Sequence, residues 1–346
     1  KFINCKFKAK GEQLKLEGST SKDSGWNAYI VGDWRLENIF GTTSNLDQIA
    51  GKIKINLGIK GSFDAPKLTG DLSLASGVIS IKLGDNYLDF NDMVVQSQFD
   101  GDNLKITKIN GILSQGKFNG SGEIKNLLSS SSREANLKIA FKDSLIEPYP
   151  AFIINTEGDL SLKQKSYELP HIDGNIIISS AEYSSSITIY DIINQLTELL
   201  LKKSQETLSK TAKNSAIVNI NINGKDGIVI DTPFLQAEVF GDIRIFSTND
   251  GLANTGELKI RDGTFRLPTH VFDLNKATID FNNQAFLNPS LKIYGEAEVR
   301  DRNREITRIN LQVLGSLFKP QVQFSSDRGL NQREIYSLLD LGSNIK

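Results

Sequence analysis

A chain of 346 residues has the length for two or three ordinary domains, yet only 39% of it is hydrophobic, which argues against one large globular core. The 40 basic and 41 acidic residues leave a net charge of −1, so nothing in the balance points to a polyanionic partner such as nucleic acid. The single cysteine, Cys5, excludes an intramolecular disulfide and, with only His171 and His270 beside it, cannot complete a structural metal site.

The opening stretch, KFINCKFKAKGEQ, has no signal-peptide core, no run in the chain reaches the ~20 apolar residues of a membrane helix, and the start reads as mid-strand. The sequence is therefore expected to be a piece of a longer protein with its anchor elsewhere. From here a period of two dominates. In GKIKINLGIKG, Ile53, Ile55, Leu57 and Ile59 share one face and Lys52, Lys54 and Asn56 the other, as in a strand with one dry and one wet side. PKLTGDLSLASGVISI, residues 66–81, sets Leu72, Leu74, Ile79 and Ile81 to the same beat around Gly77 and reads as strand, turn, strand.

Asp100-Gly101 and Asp102-Asn103 read as a hairpin turn in preference to a calcium loop, because no bidentate glutamate follows in register. Gly111 to Lys117 matches Gly-x4-Gly-Lys, but Phe118 stands where a magnesium-binding Ser or Thr belongs, and strands flank it where a helix should begin. It reads as a glycine-bearing hairpin. Around Ser129 to Ser132 the alternation lapses into a loop.

PHIDGNIIISSAEYSS restores the beat with Ile176 and Ile178, while His171, like His270 later, follows a proline-containing turn and reads as a polar turn residue. Residues 188–213 change period: Ile189, Ile192, Ile193, Leu196, Leu199, Leu200 and Leu208 gather mostly on one helical stripe, and Thr188 with Asp191 resembles a capping box. This amphipathic helix is expected to pack on the sheet's edge or across its mouth, with a membrane surface or a docked partner as alternatives.

Strand alternation returns at Val218, Ile220 and Ile222, at Leu258, Ile260 and Phe265 in NTGELKIRDGTFRLPT, and at Ile279 and Phe281. It continues through Leu291 and Ile293, then Ile309, Leu311 and Val313, then Val322 and Phe324. Asp226-Gly227, Asn249-Asp250-Gly251 and Asp262-Gly263 read as turns. Arg300, Arg302 and Arg304 are offset by Asp301 and Glu305 and have no interleaved aromatics, which suits a solvated loop rather than a single-strand nucleic-acid site. NQREIYSLLDLG, residues 331–342, reads as a short amphipathic helix with Ile335, Leu338 and Leu339 inward and Gly342 as its stop.

One phrase recurs. Leu72, Leu74, Gly77 and Ile79 align with Ile176, Ile178, Ala181 and Tyr183, and with Leu258, Ile260, Gly263 and Phe265. Such repetition predicts units that contact chiefly their neighbours, stacked as an antiparallel meander of hairpins into a long ribbon. The apolar face must be covered by a second sheet, by closure into a barrel, or by curling into an open trough, and periodicity alone does not say whether protein or lipid keeps it dry. No catalytic, metal-binding or cofactor-binding constellation emerges, since no nucleophile has a base near it in sequence.

The tail carries a resemblance. The strand at Gly263 to Phe265, followed by FDLNKATIDFNN, LNPSLKIYGEAEV and ITRINLQVLGSLFKPQVQFSSDRGLNQREIYSLLDLG with their key positions at Ile279 to Phe281, Asn288 to Ile293, Gly315 to Ser325 and Tyr336 to Gly342, resembles the C-terminal region of the TamB family, among the AsmA-like, bridge-shaped proteins of the bacterial envelope. The upstream phrases Pro66 to Leu74 and Pro170 to Ile178 suit the same family.

The resemblance implies a β-taco: an elongated, curled antiparallel sheet, apolar inside and polar outside, with an inserted amphipathic helix and a short C-terminal helix. The segments would be a β-taco stretch over residues 1–187, the helix over 188–214, a second β-taco stretch over 215–328 and the C-terminal helix over 329–346. The family setting implies a periplasmic, envelope-spanning, non-enzymatic bridge for phospholipid, linked to outer-membrane barrel assembly with a TamA or BamA type of partner. It also implies a chain that continues past the last helix to a strand engaging that barrel. The lining expected to meet acyl chains is the apolar set named above, from Ile53, Ile55 and Leu57 through Val322 and Phe324; the same positions suit ordinary core strands. A structural β-solenoid, and a chaperone-like partner of a barrel-assembly protein acting by strand addition, are the alternative readings.

Overall fold

The computed structural model describes residues 2–9, 12–21, 25–38, 46–83, 86–149, 152–183, 216–224, 227–231, 235–249, 251–267, 269–282, 288–300, 305–316 and 319–339. The sheet strands are β1 (Phe2–Ala9), β2 (Glu12–Ser21), β3 (Gly25–Arg35), β4 (Leu46–Gly61), β5 (Pro66–Leu83), β6 (Asn86–Gly101), β7 (Asn103–Leu113), β8 (Gly116–Lys125), β9 (Glu134–Tyr149) and β10 (Phe152–Lys165). There follow β11 (His171–Tyr183), β12 (Ile217–Asn223), β13 (Ile228–Asp231), β14 (Leu235–Thr248), β15 (Gly251–Arg266), β16 (Val271–Asp280), β17 (Ser290–Arg300), β18 (Ile306–Ser316) and β19 (Lys319–Ser326); among the described residues there are also a single 3-10 turn, Leu36–Asn38, and one α-helix, α1 (Gln332–Leu338). The protein is all-β, a curled and mainly antiparallel sheet, as the alternation predicts. The helix expected at 188–213 lies outside the described residues.

Two compact units are distinguished: Lys1–Pro150 with Asn155–Asn175 and Ser215–Ile217, and Ala151–Ile154 with Ile176–Asn214 and Val218–Lys346. In the first, each strand from β1 to β9 pairs antiparallel with the next. Two-residue turns do much of the joining; Asp100 pairs with Asn103 around Gly101-Asp102, and Leu113 with Gly116 around Ser114-Gln115. The latter is the hairpin expected of the false phosphate loop.

The recurring phrase has a different meaning from the expected strand, turn, strand. Pro66 to Ile81 lies within one strand, β5, and the small residue marks a β-bulge. Register shifts fall between Ala50 and Lys52 in β4, either side of Gly77 in β5, and between Asn91 and Val94 in β6. Ser76 (φ 55°) and Asp92 (φ 49°) take the left-handed conformation that absorbs the extra residue. Leu74 and Gly77 are three apart, so without the bulge the phase would flip and Ile79 and Ile81 would face water.

A row of bulges in neighbouring strands bends the sheet along a crease, where Ile53, Leu74, Met93, Leu113, Phe118 and Phe141 are buried. Phe90 meets Phe118 edge-on at 5.3 Å, and β6 touches β9 across the intervening hairpin, which is the curl itself.

The second unit repeats the device. Glu238 pairs with Asp262 and Val239 with Ile260, leaving Arg261 as the extra residue, so Asp262-Gly263 is a bulge within β15 and not a turn. A further shift separates Leu274 from Lys276. Gly227 likewise does not close a hairpin: β12 and β13 both run antiparallel to β14 as successive segments alongside it. One step is parallel: Ser180, Ala181 and Glu182 of β11 pair with Val229, Ile230 and Asp231 of β13. A parallel neighbour obliges the chain to return to the starting end before the next strand, which is why a long connection intervenes between β11 and β12. From β14 to β19 the pairing is antiparallel throughout.

α1 begins with a capping box: Asn331 Oδ1 accepts from Glu334 N at 3.1 Å, and Glu334 Oε2 accepts from Asn331 N at 2.8 Å. As expected, Ile335 and Leu339 turn inward, each 1% exposed, and Leu338 packs beside them. Gly342 lies outside the described residues.

Candidate functional site

The alternating residues assemble into rows that cross the strands. In the first unit one row runs Leu14, Gly32, Ile55, Leu72, Ser97, Ile106, Gly122, Leu137, each the register partner of the next, from β2 to β9. Beside it runs Leu16, Ile30, Leu57, Gly70, Phe99, Leu104, Ile124, Ala135. Each row spans about 34 Å at the spacing of neighbouring strands. Gly70 is required where it stands: its φ is 120°, and a Cβ would come within 2.0 Å of the Asn56 carbonyl oxygen. The one polar member, Ser97, is turned to the backbone, donating its hydroxyl to the Leu72 carbonyl at 2.9 Å.

These rows are neither exposed nor closed. Every residue in them is half-buried except Ser97, which is buried. A sandwich core would bury the lining fully, as the crease residues are buried. The first unit thus presents an apolar face that water still reaches.

The opposite face carries the charge. Lys52 pairs with Asp33 at 2.8 Å, Lys15 with Glu17 at 2.6 Å and Lys125 with Glu123 at 3.0 Å. The hydrogen bond and charge of Glu123 raise the Lys125 pKa above the ordinary lysine value. Arg261 lies over the Phe240 ring at 3.9 Å on the outer side of β14 and β15.

In the second unit a row runs Ile228, Val239, Ile260, Ala277, Ile293, Val313, Val322. Ile228, Val239 and Ala277 are buried, Ile260, Ile293 and Val313 half-buried, and Val322 is 49% exposed. Farther along the same strands the face is covered: α1 packs on Phe272, Ala297, Val299, Ile309, Leu311 and Phe324, with Phe324 edge-on to Tyr336 at 6.1 Å.

The expected lining residues therefore fall into three places. Ile55, Leu57, Leu72, Ile79, Ile81, Ile176, Ile178, Val218, Ile220, Ile222, Leu258, Ile260, Phe265, Ile279, Ile293 and Val313 are half-buried, and Val322 is exposed. Ile53 and Leu74 are buried at the crease, and Phe281 and Leu291 are buried in the second unit. Ile309, Leu311 and Phe324 lie under α1. Members of the rows not named from the sequence include Leu14, Leu16, Ile30, Phe99, Leu104, Ile106, Ile124 and Leu137. For Leu14, Leu16, Leu104, Ile106 and Leu137 the signal was the same alternation, in QLKLEGS, NLKITKI and ANLKIAF.

Among the described residues no group of three or more His, Cys, Asp and Glu could hold a metal ion. No described helix is long and apolar enough to cross a membrane. His270 Nδ1 lies 2.9 Å from the hydroxyl of its neighbour Thr269. Arg302 and Arg304 lie outside the described residues.

No curated protein matches the sequence. A family model, the TamB C-terminal domain, matches residues 107–346, from β7 through α1. That stretch exceeds half of the chain and contains the bulged strand β15, the β16–β19 meander and the helix that folds onto it. The chain belongs to the TamB family of envelope-associated proteins, whose C-terminal domain accounts for most of its length.

Proposed function

We propose that the two apolar faces carry phospholipid acyl chains between the inner and outer membranes, passively and without covalent chemistry. The observation that carries this reading is the half-buried state of the rows from β2 to β9, a continuous hydrocarbon-compatible surface with charge confined to the outer side. Acyl tails lie along the rows while headgroups stay in water at the open side. Burying a chain is worth about 0.8 kcal/mol per methylene, enough to hold a lipid and graded enough to let it slide past a lining with no indispensable residue.

Membership of the TamB family supports a periplasmic setting and an envelope partner of the TamA or BamA type. A closed structural solenoid is less well supported, because its lining would be shut off from water.

Lipid extraction from the purified chain followed by mass spectrometry tests the reading. Phospholipid is the expected result, and a chain that returns none after purification from membranes overturns it. Crosslinking to an outer-membrane barrel protein tests the partner separately.

A further inference from the structure

The seat of α1 belongs to the same face as the second unit's row. Gly295, Leu311 and Phe324 are register partners, two residues along their strands from Ile293, Val313 and Val322. At the seat Phe272, Val299, Ile309, Leu311 and Phe324 are buried, whereas Val322 is 49% exposed. The difference is α1, whose Ile335 and Leu339 enter the seat.

α1 has seven residues, well below the roughly 12–15 that an isolated helix needs, so docking is what makes it helical. Its polar ties are single hydrogen bonds at the margin. Gln332 Nε2 donates to the Phe324 carbonyl at 2.6 Å, Thr269 Oγ1 to the Leu339 carbonyl at 3.1 Å, and Leu330 N to Ser326 Oγ at 2.8 Å. Its other side, with Arg333, Glu334 and Ser337, faces water.

We propose that this seat is a second hydrocarbon site and that α1 is its displaceable lid. An acyl chain arriving along the Ile293, Val313 and Val322 row replaces Ile335 and Leu339 on Val299, Ile309 and Phe324, and the lid redocks when the chain leaves. Both occupants meet the seat by dispersion and burial alone, so exchanging one for the other strands no polar group; the ties at the margin are remade with water. The proposal rests on the trough reading and adds a gate to it.

The test uses the full chain and a pyrene-labelled phosphatidylethanolamine. Hydrogen exchange followed by mass spectrometry reports the amides of Ile335 and Leu339, bonded to the Asn331 and Ile335 carbonyls at 3.0 and 2.9 Å. Adding the probe is expected to speed their exchange. Ser337→Ala favours the helix and should weaken probe binding about twofold, whereas Ser337→Pro breaks it and should tighten binding by about tenfold. Thr269→Val removes one tie and should also tighten binding, so the test survives if the proline variant fails to fold. If wild type and variants bind the probe equally and exchange at α1 is unchanged, the lid is wrong and the trough stands. If wild type binds no probe, both are wrong.

Discussion

Leu72 and Leu74 sit two residues apart on one face, and the structure gives them opposite duties. Leu72 belongs to an open row and is half-buried; Leu74 is 5% exposed at the crease, packed near Gly51 and Gly77. An arginine at 72 can extend its head to water while crossing the path of a hydrocarbon chain. An arginine at 74 is an unpaired charge in a packed site, which costs several kcal/mol. Leu72→Arg, and Ile220→Glu in the second unit, should therefore leave circular dichroism and the melting midpoint near wild type while phospholipid disappears from the purified chain. Leu74→Arg should melt the first unit outright. If Leu72→Arg retains its lipid, the row is not the path.

At the scale of the element, the bulge decides what a strand can be. A single extra residue, Ser76 in β5 or Arg261 in β15, holds the apolar phase across an odd spacing and supplies the local bend. Deleting Ser76 forces a choice between straightening β5 and turning Ile79 and Ile81 to the wet side. The variant is expected to lose several degrees in its melting midpoint and to bind a dye for exposed apolar surface. Deletion of a residue in the exposed β8–β9 loop, such as Ser131, should do neither. The phrase around Gly77 was legible as a repeat, but its small residue was open to two readings, because Gly suits a turn and a bulge equally. Only the partner strands β4 and β6, whose pairing skips a position there, separate the two. The amphipathic stripe of α1, in contrast, is written within NQREIYSLLDLG and needed no partner to be read; the capping box of Asn331 and Glu334 was added by the structure.

At the scale of the molecule, stability and cargo are linked. A lipid that binds the folded lining and not the unfolded chain stabilises by about 2.7 kcal/mol at a hundred times its dissociation constant. Scanning calorimetry with a short-chain phospholipid below its micellar concentration should thus show a midpoint rising with lipid, and the rise should vanish in Leu72→Arg. The outer face predicts little dependence on salt. Its pairs, such as Lys52 with Asp33 and Lys259 with Glu257, are solvent-exposed, and the net charge is −1. Exposed pairs contribute ~0–1 kcal/mol each and are screened, so the melting midpoint should move little between low and high ionic strength.

By itself the sequence determined which side chains share a face, that a tight turn falls at Asp100 to Asn103 and a hairpin between Gly111 and Lys117, that a short helix lies in the tail, and to which family that tail belongs. Each is local: alternation, turn chemistry and the amphipathic stripe act within a few residues of chain. Tertiary structure alone decided that Gly77 and Gly263 mark bulges, that β11 and β13 run parallel, that α1 lies on the apolar face, and that the rows between β2 and β9 stay half-open to water. Those properties belong to the register between strands distant in sequence and to what packs above a face, and a periodicity of two carries no information about either.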